Sequence, residues 1–236
     1  MFNFAFTLDD SPFGSGYFNA ICNKVDKTTK RGIFIVTVDP YSLTKDTGNH
    51  KDDENKFWER NAFVSNMHFV NESPNLEYLF RFYDKPIVSL AYNKSSTMRL
   101  HKDGWLELTV PMDSESVQKR IKTKVEKYTE VANQSNFSLV RYEYFKKTII
   151  FLRQFGEVYV VRLPVSKEMR PIEDKIIPDF DKMIQLYLNS VNVSYINLIE
   201  ECGKYRTIDG NHLYKLDGAK VSGYIAEQIK KASNFR

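Results

Sequence analysis

The run Gly32-Ile33-Phe34-Ile35-Val36-Thr37-Val38 constrains this 236-residue chain more than any other stretch. β-Branched and aromatic residues follow one another without polar alternation. Such a run suits a strand covered on both faces, as in a parallel sheet. It stops at Asp39-Pro40, where proline has no N–H for the ladder. A strand of this kind needs helices around it, and the rest of the chain supplies candidates. Phe2 to Thr7 reads as an aromatic-rich strand, Leu8 to Gly16 as a loop, and Tyr17 to Val25 as a helix. Asp113 to Ala132 reads as a charged helix capped by Asp113. Asn136 to Gln154 is a second long helix. Its apolar face runs through Leu139, Tyr142, Phe145, Ile149 and Leu152, with Gly156 as its stop. A strand over Glu157 to Leu163 ends at Pro164. Then come a helix over Asp179 to Asn189, a short strand over Val193 to Leu198, and a closing helix over Asp217 to Ala232, capped by Asp217. Alternation of strand and helix in this order implies βαβ units and a mostly parallel sheet, an α/β fold.

Between these elements lies a long excursion. Ser42 to Asn75 is too polar for a core and too long for an ordinary connection, so it reads as a loop or lid with a short helix near Phe57-Trp58. Leu76 to Leu90 is helical in part and interrupted by Pro86. Thr97 to Thr109 alternates around Asp103-Gly104, a hairpin signal. The expected organisation is one domain over 1–236 with an insertion at 42–112.

Composition narrows the functional classes. Lys+Arg 34 against Asp+Glu 30 leaves a charge of +4. That charge is spread along the chain, whereas a nucleic-acid binder concentrates it on one face. No apolar run approaches the ~18 residues of a membrane span. The first residues show neither a basic region nor a long apolar one, so they do not read as a signal peptide. Cys22 and Cys202 form no CxxC and read as buried thiols. There is no GxGxxG, no P-loop and no zinc spacing, and no cofactor or metal is expected. His50 and His68 lie among Asp52, Asp53 and Glu54 at irregular spacing, which reads as a solvated loop. Lys119 to Lys127 is interleaved with glutamates (Glu115, Glu126, Glu130) and reads as a solvated helix face with i,i+4 pairs. His101 to Trp105 reads as a turn with an aromatic packed beneath it.

In parallel sheets functional groups gather beyond the carboxyl ends of the strands. The sharpest group there is Asp209-Gly210-Asn211-His212. An aspartate three residues before a histidine, on a loop ahead of the last helix, can orient the ring through one nitrogen. The other nitrogen is then free to act as a general base.

Thr207-Ile208-Asp209-Gly210-Asn211-His212-Leu213, followed by Gly218-Ala219 and a helix to Ile229, resembles the final block of the SGNH/GDSL hydrolases. Phe155 to Val165 looks like that family's late parallel strand, and Tyr195-Ile196-Asn197 like its last strand. The resemblance runs from Asn136 to Ala232, is partial over Phe2 to Leu43, and is absent from the excursion. It implies a three-layer α/β/α sandwich and a Ser-His-Asp triad acting on acyl esters, with Asp209 orienting His212. Two registers place the serine. In one, Phe2 to Thr7 is the first strand and Ser11 the nucleophile. Asp9 then stands where the family has glycine, and its charge would oppose a developing oxyanion. Pro12 also lacks an N–H to contribute there. In the other register, which the sequence favours, Asn3 to Phe6 is the family's second strand, and the nucleophile strand lies upstream of this chain. That register is similar to an envelope-associated branch of the family, in which a strand ends in Asp-Pro and an aromatic, as Val38-Asp39-Pro40-Tyr41 does here. The family's nucleophile strand is central in its sheet, so this register predicts unpaired backbone edges facing a gap in mid-sheet. Asp39 lies nearest the family's oxyanion-donor asparagine but cannot donate when ionised. The implied substrate is an acylated carbohydrate or similar ester. The implied activity is hydrolysis or O-acyl transfer. Ser166, at another strand end, is a remote candidate nucleophile. The alternative is a non-catalytic binding or assembly protein that keeps the fold.

Overall fold

The protein is described by a computed structural model over residues 3–4, 13–46, 68, 76–81, 86, 88 and 97–234. Three parallel strands carry the α/β fold: β1 (Gly32–Thr37), β6 (Gly156–Arg162) and β7 (Ser194–Asn197), in the order β1-β6-β7. The register runs from Gly32 opposite Gly156 to Thr37 opposite Val161, and from Tyr159 opposite Ser194 to Arg162 opposite Asn197. The remaining strands form two small antiparallel pairs. β2 (Thr44–Asp46) pairs with β5 (Ser135–Phe137), and β3 (Met98–Leu100) with β4 (Leu106–Leu108). The helices are α1 (Ser15–Lys24), α2 (Leu76–Arg81), α3 (Ser114–Asn133), α4 (Leu139–Leu152), α5 (Arg170–Ile176), α6 (Phe180–Ser190) and α7 (Lys215–Asn234).

Central β6 explains the core. Successive side chains of a strand point to opposite faces. Val158 and Val160 join the larger apolar cluster, with Phe145 and Ile149 of α4, Ile172 and Ile176 of α5, and Phe180, Ile184 and Leu188 of α6. Tyr159 and Val161 join a second cluster, with Leu198 and with Val221, Ile225 and Ile229 of α7. Four-residue spacing puts the α7 residues on one face.

β1 departs from the expectation of cover on both faces. Phe34 and Val36 pack against the larger cluster. Ile33 is 58% exposed and Ile35 36%. The cause is position: β1 is an edge strand, and α7 covers the neighbouring β6 side chains but not those of β1. Among the described residues nothing pairs with the outer edge of β1.

Element boundaries shift for local reasons. α1 begins at Ser15, earlier than Tyr17, after an extended Gly14. α4 begins at Leu139, because Ser135–Phe137 is drawn into pairing with β2 and Ser138 caps the helix by accepting from Arg141 N at 3.2 Å. Leu139, read as part of the apolar face, is 66% exposed. α5 was not legible as a helix. α7 starts at Lys215, so Asp217 sits inside its first turn rather than at the cap. Asp113 caps α3 as expected, accepting from Ser116 N at 2.9 Å. The hairpin around Asp103-Gly104 forms, with Gly104 at φ 83°. Ser42 and Leu43, read as the start of the excursion, are buried, and Leu43 is in the main core. Of the strand expected over Phe2 to Thr7, only Asn3 and Phe4 are described. Neither is in regular structure, and Asn3 N donates to Asp103 O at 2.6 Å. The lid helix near Phe57-Trp58 lies outside the described residues.

At the carboxyl end of β6 the Arg162 guanidinium is fully buried. It donates to Glu173 Oε2 at 2.9 Å and to Asp181 Oδ2, and it lies 5.0 Å from the Phe180 ring centroid. Tyr195 OH donates to the other Asp181 oxygen at 2.7 Å. One cation thus joins β6, α5, α6 and β7. Burial, then the nearby Asp39 carboxylate, pushes Glu173 up to about 7, against the pull of Arg162. A glutamate freed by unfolding ionises near 4.5. Between these values the folded state keeps a proton that the unfolded state has released, so stability falls as pH rises through that window. Glu173→Gln keeps an oxygen for Arg162 and cannot ionise. Its Tm, measured by calorimetry from pH 4 to 8, should gain on the wild type progressively as pH rises through the window.

Gly156 offers a second test. A β-carbon there would lie 1.9 Å from Gly32 O, a backbone atom that cannot swing aside. Gly156→Ala should therefore cost at least ~3 kcal/mol, the range of core strain, measurable by urea unfolding.

Candidate functional site

The loop between β7 and α7 crosses the carboxyl ends of the strands and is stitched to the segment leaving β6. Gly203 N donates to Val165 O at 3.1 Å, and Ser166 N to Gly210 O at 2.7 Å. The loop closes on itself through a bridge between Thr207 and Leu213, with Ile208 N bonded to His212 O at 2.8 Å. Gly210 sits at φ 108°, where a side chain would be strained, and a β-carbon would meet Met169 Cγ at 2.9 Å. Thr207 Oγ1 accepts from Gly210 N at 3.1 Å.

This closed loop sets Asp209 against His212. Asp209 Oδ2 lies 2.8 Å from His212 Nδ1, and Oδ1 accepts from His212 N at 3.0 Å and from Asn211 N at 3.4 Å. Lys124 Nζ is 3.4 Å from the same Oδ2. Burial works to raise the Asp209 carboxyl. The bond from the His212 ring, the ring's charge, the His212 N–H and Lys124 outweigh it and hold the carboxyl well below the usual range. Asp209 is thus an ionised acceptor, mostly covered at 18% side-chain exposure, while the His212 side chain is 59% exposed. A carboxylate fixing Nδ1–H leaves Nε2 as the acceptor, the form a general base requires. Among the described residues Nε2 makes no hydrogen bond.

The candidate nucleophiles fare differently. Ser11 lies outside the described residues. Ser166 is buried beside Gly210, its Oγ 3.5 Å from where a Gly210 β-carbon would stand and without a hydrogen-bond partner among the described residues. Asp39 stands at the carboxyl end of β1, its Oδ1 accepting from Ser42 N at 2.8 Å.

The remaining sequence candidates have local roles. His101 stacks on Trp105 with ring centroids 4.4 Å apart, and its Nε2 is 2.9 Å from Glu107 Oε2. The other Glu107 oxygen accepts from Lys215 Nζ at 2.8 Å. The excursion's hairpin is thereby fastened to the start of α7, three residues beyond His212. His68 pairs with Glu77 at 2.9 Å on the surface. His50, Asp52, Asp53 and Glu54 lie outside the described residues. Among the described residues no group of three or more His, Cys, Asp or Glu gathers as metal ligands. Cys22 and Cys202 are unpaired, and both are half-buried rather than buried as expected. No described helix is long and apolar enough to cross a membrane.

Sequence reasoning missed Arg120, Lys124 and Tyr128, which reach Ile208, Asp209 and Asn211 of the loop. Their one visible signal was their four-residue spacing along α3.

Asp209→Ala removes the acceptor of the His212 and Asn211 amides. Amide exchange at His212 should rise by about 10-fold or more, the equivalent of one lost hydrogen bond, with exchange in β6 unchanged.

Comparison with protein-family models, with curated proteins and with solved structures finds no match.

Proposed function

We propose that this chain carries the acid–base half of an SGNH-type acyl-ester site, for hydrolysis or O-acyl transfer on an acylated carbohydrate or similar ester. The observation that carries the reading is the Asp209–His212 pair, held on the loop beyond the carboxyl end of β7 with more than half of the His212 side chain exposed. In the mechanism His212 Nε2 takes the proton of a serine hydroxyl as the hydroxyl attacks the acyl carbon. It then returns that proton to the departing alkoxide, and Asp209 keeps the ring in the required tautomer throughout. Helices on both faces of β6 favour a three-layer α/β/α sandwich.

The serine is Ser11 or belongs to a further strand. Among the described residues the outer edge of β1 is unpaired and Ile33 beside it is exposed, which favours the further strand. The non-catalytic alternative keeps the fold and the loop but has no serine within reach of Nε2.

The test is turnover of p-nitrophenyl acetate and of an O-acetylated oligosaccharide, together with labelling by a fluorophosphonate that captures activated serines. Any wild-type turnover should fall by about 10³-fold or more in His212→Ala. Loss of both turnover and label in Ser11→Ala assigns the nucleophile to Ser11. Turnover indifferent to His212→Ala sinks the proposal. Absence of both turnover and label excludes Ser11 and is the outcome expected when the serine lies on a further strand. Turnover gained on adding a polypeptide that carries that strand, and lost again in His212→Ala, then supports the proposal, whereas oligosaccharide binding without such a gain places the chain in the binding class.

A further inference from the structure

One face of α3 is aimed at the candidate site. Arg120, Lys124 and Tyr128 recur every four residues and so line up along the helix. Each reaches a different point on the Asp209 loop. Arg120 Nε donates to Ile208 O at 2.7 Å, Lys124 Nζ lies 3.4 Å from Asp209 Oδ2, and Tyr128 OH accepts from Asn211 Nδ2 at 3.0 Å. The three side chains are themselves held. Arg120 Nη2 donates to Pro111 O at 2.6 Å, at the exit of the excursion. Lys124 Nζ sits 4.9 Å from the centroid of the Tyr128 ring, and that ring meets Tyr41 edge-on at 4.5 Å.

We propose that Arg120, Lys124 and Tyr128 are the positioning residues of the Asp209–His212 pair. The proposal rests on the reading of that pair as the site's acid–base group. Between Leu198 and Tyr214 the chain has one short helical turn and one bridge, so regular structure does little to hold His212. A general base must be kept within ~10–20° of its working direction by partners outside the reacting groups. The α3 residues supply those partners at three places along the loop, Ile208, Asp209 and Asn211. With Lys124 in place all four approaches to the Asp209 carboxylate are used: two backbone N–H groups on Oδ1, and the ring and the ammonium on Oδ2. The carboxylate cannot turn without breaking one of them. Tyr128 acts one residue further on, through Asn211. Arg120 links the loop to the excursion's exit, so a ligand that shifts residue 111 would be felt at Ile208.

The test is ring-nitrogen NMR of the ¹⁵N-labelled full chain, which reads the tautomer of His212 and the exchange of its Nδ1 proton. The wild type should show the Nδ1–H form with a slowly exchanging proton. Tyr128→Phe removes one oxygen and keeps the ring packing. It should speed that exchange by about 5- to 10-fold while Tm moves by no more than ~2 °C. Lys124→Met should act in the same direction, and Lys124→Arg should restore the wild-type rate. Lys127→Met, off the stripe, should change nothing. A wild-type signature left unaltered by both Tyr128→Phe and Lys124→Met would overturn the assignment while sparing the Asp209–His212 pair. A wild type without the Nδ1–H form overturns the pair itself, and the positioning role with it.

Discussion

The Arg162 guanidinium is the interaction on which the rest of the structure depends. It sits at the end of the central strand, out of contact with water, and its two carboxylate partners come from two successive helices. A buried ion pair is weak evidence of stability, because desolvation offsets much of the attraction. Its contribution here is specificity. A hydrophobic residue at position 162 could be buried in many orientations of α5 and α6, whereas the guanidinium accepts the one that brings Glu173 and Asp181 to its two ends. The same constraint carries a penalty, since Asp39 adds negative charge where one cation already serves two carboxylates.

From that end of β6 the candidate site follows in a few steps. The segment leaving β6 is bonded to the loop leaving β7 at Val165 and Ser166, and that loop is closed tightly enough to place Asp209 under His212. α3 reaches the same loop through Arg120, Lys124 and Tyr128. His212 therefore owes its position to its own closed loop, to the segment leaving β6 and to α3. The outer edge of β1 is the opposite case, with its backbone unpaired among the described residues and Ile33 and Ile35 partly exposed beside it. Parallel sheets are ordinarily covered, and this edge is where the sheet would be extended.

Most of the element order was legible because it is written in local pattern. The run at residues 157–163 reads as a strand on its pattern alone, within a residue at each end of the observed Gly156–Arg162, Asp113 could cap α3 without help from the rest of the fold, and Asp103-Gly104 is a turn on its own terms. The failures share a cause. Ser135–Phe137 joined no helix because β2, some ninety residues earlier, claims its backbone. The β1 isoleucines are exposed because an edge position is a property of the sheet and cannot be seen in the strand. The solvated face expected over Lys119 to Lys127 holds at Lys119, Lys122 and Lys127 but not at Arg120 and Lys124, because i,i+4 spacing says which side chains align and is silent on what they meet.

The sequence alone therefore determined the alternation of strands and helices, the parallel character of the sheet, and the Asp209–His212 pair, since residues three apart on one loop can find each other without distant help. Tertiary structure alone decided that β1 lies at an edge among the described strands, that Arg162 gathers Glu173 and Asp181, and that Arg120, Lys124 and Tyr128 meet Ile208, Asp209 and Asn211 from some eighty residues away. The physical reason is range. Backbone preference and side-chain periodicity act over a few residues, while burial, charge pairing and strand order are settled only when distant segments compete for the same space.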